Sequence, residues 1–197
     1  MANHVCPVWV GYLLASPIRK YFHDPKKILK PHIEKGMTVL DIGCAMGFFT
    51  IPMTHMVKVD GRVICLDVQD RMLSALKNKA LKEDVFERID PRLTTSDNLG
   101  IDDLENQVDF ALAFAVVHEV PDVANFFSQV YLALKTDAKF LVVEPKGHVS
   151  ESNFETTISI AENTGFAKLE HPKIFRSRTI LLQKKGENPN FFLGLLK

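Results

Sequence analysis

Apolar and polar positions follow two rhythms along the chain. Predominantly apolar runs at 37–43, 61–68, 108–117 and 138–145 are short and rich in Val, Ile, Leu and Phe. Such runs read as strands buried on both faces. Between them, apolar residues return at steps of three and four. In 70–82 Met72, Leu73, Leu76 and Ala80 share one side, and in 121–135 Val123, Phe126, Phe127, Val130, Tyr131 and Leu134 do the same, with Pro121 as the start. Residues 48–58 read as a helix whose Pro52 is tolerable only in the first turn, where backbone N–H groups lack helical partners. Residues 152–165 open with Ser152-x-x-Glu155, a capping box, and stop at Gly165.

Strand and helix alternate, which predicts a doubly wound α/β fold with a parallel sheet covered on both faces. The third strand, within 85–96, is weakly marked, and Pro91 places it at an edge or an end. The rhythm breaks in 167–185, where two strand patterns follow without a helix, so an antiparallel hairpin is expected on one edge. Before the first strand, 8–22 reads as an amphipathic helix broken or ended near Pro17, and 24–35 as a short helix capped by Asp24 with Pro25 at its first position. The expected division is an N-terminal helical lid over 1–35, one domain over 36–185, and an apolar tail over 186–197 that folds back, dimerises or stays disordered.

Composition narrows the class. The 197 residues suit one domain, and 24 Lys plus Arg against 24 Asp plus Glu leave no basic excess of the kind that marks a nucleic-acid footprint. Cys6, Cys44 and Cys65 have no metal-ligand spacing, so no metal is expected. Their odd number and scatter fit a reducing, cytoplasmic compartment. No run has signal-peptide layout or membrane-spanning length. The expected partner is a small molecule, with no nucleic acid and no membrane, and the chain is expected to be a monomer or homodimer.

The chemistry gathers at "TVLDIGCAMGFFTIPM", residues 38–53. An apolar strand ends at Asp41, Gly43 and Gly47 frame a tight corner, and a helix begins. Gly43 permits the sharp exit, Gly47 a close packing or a close approach to a ligand, and the first N–H groups of the helix favour a group of negative character. Asp67 ends the second strand, where a carboxylate can accept both hydroxyls of a ribose. Asp41 lies inside the corner. It would repel a pyrophosphate and attract an ammonium or sulfonium group. The pair favours S-adenosylmethionine over a dinucleotide.

In these motifs the sequence resembles the class I S-adenosylmethionine-dependent methyltransferases, in the small-molecule branch of ubiquinone/menaquinone-biosynthesis-like enzymes. The likeness covers roughly 36–185: "VLDIGCAMG", "VICLDVQDRML", "VDFALAFAVVHEVPD", "LVVEP", and "NTGF" before the terminal strand pair, in that order. It implies a Rossmann-like, mostly parallel seven-stranded sheet with a C-terminal antiparallel hairpin. It implies S-adenosyl-L-methionine as cofactor, S-adenosyl-L-homocysteine as product, and methyl transfer by in-line attack. The cofactor residues implied are Asp41, Gly43, Cys44, Ala45, Gly47, Phe48, Asp67, Val68, Met72 (under the adenine), Asp97 (at the adenine amino group) and Phe114. The family usually has glycine where this chain has Ala45; alanine is unstrained there only if φ is negative.

Past the fourth and fifth strands, His118, Glu119 and His148 are the candidate catalytic residues, with Glu144 and Lys146 beside them. His118 is the first candidate for a general base, because imidazole titrates near neutral pH. It reads equally as a positioning or capping residue, and Asp97 as a turn residue. Cys6, His4 and Trp9 belong to the expected lid. Two rival functions stand beside methyl transfer. One is a nicotinamide-dependent oxidoreductase, which would carry Gly-x-Gly-x-x-Gly. The other is a non-catalytic cofactor-binding or interaction module.

Overall fold

A computed structural model describes residues 22–186. The expected helix over 8–22 and the tail fall almost wholly outside the described residues. The elements run α1 (Pro25–Leu29), β1 (Thr38–Ile42), α2 (Thr50–Val57), β2 (Arg62–Asp67), α3 (Asp70–Lys82), β3 (Ile89–Leu93), β4 (Val108–Phe114), α4 (Val123–Ala133), β5 (Leu134–Pro145), α5 (Glu151–Thr164), β6 (Phe166–Glu170) and β7 (Ser177–Lys184). They form one seven-stranded sheet in the order β3-β2-β1-β4-β5-β7-β6. β3, β2, β1, β4 and β5 pair in parallel, while β7 runs antiparallel to both β5 and β6. The fold class and the terminal hairpin are as expected, and β3 with its Pro91 lies at the edge.

Two apolar layers sandwich the sheet because side chains alternate along each strand. Leu40, Ile42, Ile64, Leu66, Phe140 and Val142 join Phe126, Phe127, Val130, Phe154 and Ile158 of α4 and α5. Val39, Val63, Phe110, Leu112, Leu141 and Val143 join Leu29, Met53 and Val57 of α1 and α2 on the other face. Leu73, Leu76 and Ala80 of α3 pack with Cys44 and Cys65. No helix among the described residues is long and apolar enough to cross a membrane.

Helix ends depart from expectation in three places. α1 is short, with Asp24 as cap accepting the Lys26 N–H at 3.0 Å. α4 is capped by the Asp122 carboxylate, which accepts the Asn125 N–H at 2.9 Å, so Pro121 lies outside the helix. The cap of α5 is Ser150, not Ser152; its hydroxyl accepts the Asn153 N–H at 3.1 Å. Two serines two residues apart offer the same chemistry, and the chain direction leaving β5 selects the first. Gly165 ends α5 in the left-handed region as expected, at φ +116°.

Candidate functional site

Strand order reverses between β1 and β4, and a cavity opens beyond the carboxyl ends of the strands there. Its lining comes in spatial order from the ends of β3 (Thr94, Thr95, Ser96), β2 (Asp67, Val68, Gln69), β1 (Asp41, Gly43, Cys44, Ala45) and β4 (Phe114, Ala115, Val116, Glu119, Val120). Phe48, Phe49, Met72 and Phe126 complete the apolar wall. Of the expected cofactor residues, Gly47 and Asp97 alone are absent from the lining. Gly47 packs behind it: a Cβ built there would lie 2.4 Å from Leu76 Cδ1, at φ +81°. The Asp97 carboxylate accepts the Thr95 hydroxyl at 2.8 Å, and its carbonyl accepts from the side chains of Asn125 and Gln129. These are the contacts of a turn, and its neighbours Thr95 and Ser96 line the cavity.

The corner is locked onto β2. The N–H groups of Gly43 and Cys44 both donate to Leu66 O at 2.9 Å. The Ala45 N–H donates to Asp67 Oδ2 at 2.9 Å, and Gln69 N–H to Oδ1 at 2.9 Å. These two amides hold the Asp67 carboxylate in place. Each Asp67 oxygen keeps a second lone pair for another donor. Burial pushes the Asp67 carboxyl above its usual range, and the Gln69 and Ala45 N–H groups pull part of that back. Asp41, 2% exposed, accepts the Thr50 hydroxyl at 2.6 Å. The first turn of α2 thereby orients the corner's second carboxylate. Cys44 and Cys65 are buried free thiols, and burial, with the Cys65 thiol beside it, raises Cys44 well above the ordinary thiol value.

Ala45 does not have the negative φ that alanine prefers: it sits at +46°. Ala115, at the end of β4, sits at +60°. Both line the cavity. Left-handed alanines store strain that is tolerated where the surrounding hydrogen bonds over-determine the backbone. Here those bonds are Ala45 N–H to Asp67 and Ala115 N–H to Val143 O at 2.7 Å.

The polar residues past β4 and β5 assemble around Glu144. Its side chain is 1% exposed. Oε1 accepts the Val116 and Val117 N–H groups at 3.2 and 2.8 Å, and Oε2 accepts from His118 Nδ1. The His118 ring is therefore fixed with Nε2 outward, 4.0 Å from Glu119 Oε1. The hydrogen bond to Glu144 holds the His118 imidazole above its ordinary value, against the opposite pull of burial. His148 stands edge-on to His118, with ring centroids 5.7 Å apart. Glu119 lines the cavity, whereas His118 and His148 stand behind that lining. Glu144 was recognisable in sequence only as one polar residue of a cluster; its pairing with His118 across two strand ends had no local signal. Lys146 is not part of this network, and no group of three or more metal-ligating side chains among the described residues could hold a metal.

A model of the methyltransferase domain matches residues 33–186. A ubiquinone biosynthesis O-methyltransferase from Bradyrhizobium diazoefficiens is 28% identical over 140 residues, 71% of this chain and 51% of its own length. Phosphoethanolamine N-methyltransferase 2 from Caenorhabditis elegans is 27% identical over 184 residues, 84% of this chain and 41% of its own. The chain thus spans about half the length of the curated relatives it matches. A crystal structure of a SAM-dependent methyltransferase from Aquifex aeolicus superposes with a TM-score of 0.79 at 22% identity, over 91% of this chain and 98% of that one. That likeness is one of fold.

Proposed function

The chain belongs to the methyltransferase-domain family, and on that premise we propose that it transfers a methyl group from S-adenosylmethionine to a small-molecule acceptor. The observation that carries the reading is the carboxylate pair Asp41 and Asp67, set on adjacent strand ends in a largely apolar cavity. The donor set fits the cofactor. Asp67 retains lone pairs for ribose hydroxyls, Asp41 supplies negative charge for an ammonium, and Met72 offers a soft, apolar surface for a purine. The acidic corner disfavours a pyrophosphate, which argues against a nicotinamide cofactor.

When bound, S-adenosylmethionine supplies an activated methyl group on a sulfonium leaving group. The residues of the chain bind, align and exclude water. Phe48, Phe49 and Phe114 form the dry wall: ring centroids lie 5.0 Å apart for Phe48 and Phe49, and 4.7 Å for Phe49 and Phe114. An acceptor that must lose a proton meets Glu119 first, with His118 behind it, held by Glu144. His118 acts in this reading by positioning Glu119 and taking up charge, and His148 stands edge-on against its ring. The expected cytoplasmic setting and the single small-molecule partner belong to the same proposal.

Isothermal titration with S-adenosylmethionine, S-adenosylhomocysteine and NADH tests it. Both adenosyl ligands should bind and NADH should not. Asp67→Ala should lose most of the adenosyl affinity with the fold retained by circular dichroism. A folded protein that binds neither adenosyl ligand refutes the proposal and leaves the interaction-module reading.

A further inference from the structure

Glu144 is 1% exposed and lies outside the lining of the cavity. A buried carboxylate is costly unless donors surround it. Its strand neighbour Arg178 supplies none, because that guanidinium donates to Val149 O and faces Glu151. Every hydrogen bond of the Glu144 carboxylate goes instead to the turn after β4: to the Val116 and Val117 N–H groups through Oε1, and to His118 Nδ1 through Oε2. The β4–β5 ladder ends at Phe114 and Val143, and the Ala115 N–H still reaches Val143 O at 2.7 Å. Beyond that point a side chain does the work of a strand, on a backbone already bent to φ +60° at Ala115.

The turn held in this way presses on the β1 corner. A Cβ built on Gly43 would lie 2.9 Å from Val116 Cγ2 and 3.0 Å from Val116 Cβ, so no methyl fits between them. Val116 and Gly43 both line the cavity. Where the turn sits therefore shapes the cavity at the corner that carries Asp41 and leads to Asp67. We propose that Glu144 is a positioning residue for the cofactor: from outside the cavity it seats Val116 against the Gly43 corner, and it acts through its length and its acceptor oxygen more than through its charge. This rests on the function proposed above and deepens it.

The test titrates S-adenosylhomocysteine into the full chain by calorimetry, at a temperature where circular dichroism shows each variant folded. Glu144→Gln keeps the length and an oxygen for the two amides, and its NH2 can donate to Nδ1 in the other imidazole tautomer, so affinity should stay within about threefold of wild type. Glu144→Asp keeps the charge but ends about 1.5 Å short, so the seat shifts and affinity should fall about tenfold or more. A role resting on charge alone predicts the reverse order. Coupling between seat and cofactor must also run both ways. In the wild-type chain, saturating S-adenosylhomocysteine should slow amide hydrogen exchange at Val116 and Val117 more than in β6 at the far edge of the sheet. This second measurement needs no variant, so a poorly folding Glu144→Asp protein leaves the proposal testable. An Asp variant that binds like wild type, a Gln variant that loses affinity as Asp should, or amides slowed no more than those of β6 each overturns it. Failure of S-adenosylhomocysteine to bind the wild-type chain overturns the underlying function instead.

Discussion

Replacing Ala45 by glycine isolates the strain in the corner. In the folded chain Ala45 sits at φ +46° with its N–H bound to Asp67. For an L-residue the left-handed region costs about 1–2 kcal/mol, a penalty that glycine escapes. Against this, glycine is freer in the unfolded chain, which costs roughly 0.5–1 kcal/mol. The difference leaves Ala45→Gly more stable by about 0.5–1 kcal/mol, a Tm rise of about 1–4 °C for a domain of this size. Ala45→Val should move the other way, because a β-branched side chain is a genuine outlier at positive φ. Urea denaturation with an unchanged m value, read beside calorimetric Tm, measures both. A glycine variant less stable than wild type would mean that Ala45 does not adopt the left-handed backbone. The lock between the corner and Asp67 would then be wrong in its geometry.

Gly47→Ala meets the opposite situation. Its Cβ would press on Leu76, which is fully buried, from a backbone at φ +81°, so a loss of about 2–4 kcal/mol is expected in the same denaturation assay. His118 gives a pH signature. Its folded pKa lies above the ordinary value of about 6.5, so the stabilisation from Glu144 is complete below that pH and disappears as pH rises through the folded pKa. The stability gap between wild type and His118→Asn should therefore shrink from acid towards alkaline pH, and a constant gap would refute it. Asp67 titrates above the ordinary aspartate value of about 3.9, and ribose hydroxyls bind its charged form. Adenosyl-ligand affinity, followed by titration calorimetry, should be full above the raised pKa and fall with acidification through it, while Asp67→Asn binds weakly at every pH.

The sheet was legible because burial on both faces leaves a mark that needs no partner: the apolar runs at β1, β2, β4 and β5 stand out alone, and Pro91 marks β3 as an edge. The carboxylates at strand ends were legible for the same reason, since a polar residue closing an apolar run is conspicuous. What escaped was direction. Glu144 captures two amides of the turn after β4 and the Nδ1 of His118, and so sets the direction of the His118 ring, while Glu119 lines the cavity. That choice is made by a residue about 26 positions away in sequence. The left-handed Ala45 escaped because glycine is the usual sequence sign of positive φ, and here the sign is missing. The start of β5 escaped as well: Leu134 leaves α4 straight into the strand, and the polar 135–137 carry no strand signal.

The reversal of strand order between β1 and β4 has a consequence for how such a chain changes over generations. Asp41, Asp67 and Met72, proposed to hold the donor, are encoded before residue 98, and Glu119 with His118 behind it, proposed to meet the acceptor, is encoded after residue 113. The two sets meet only in space, across one pair of neighbouring strands. Substitutions at Glu119 and His118 can therefore be sampled without disturbing donor capture, and a new specificity can arise while the old chemistry continues. A chain built this way is a natural founder of lineages that share one methyl source and diverge in what they modify.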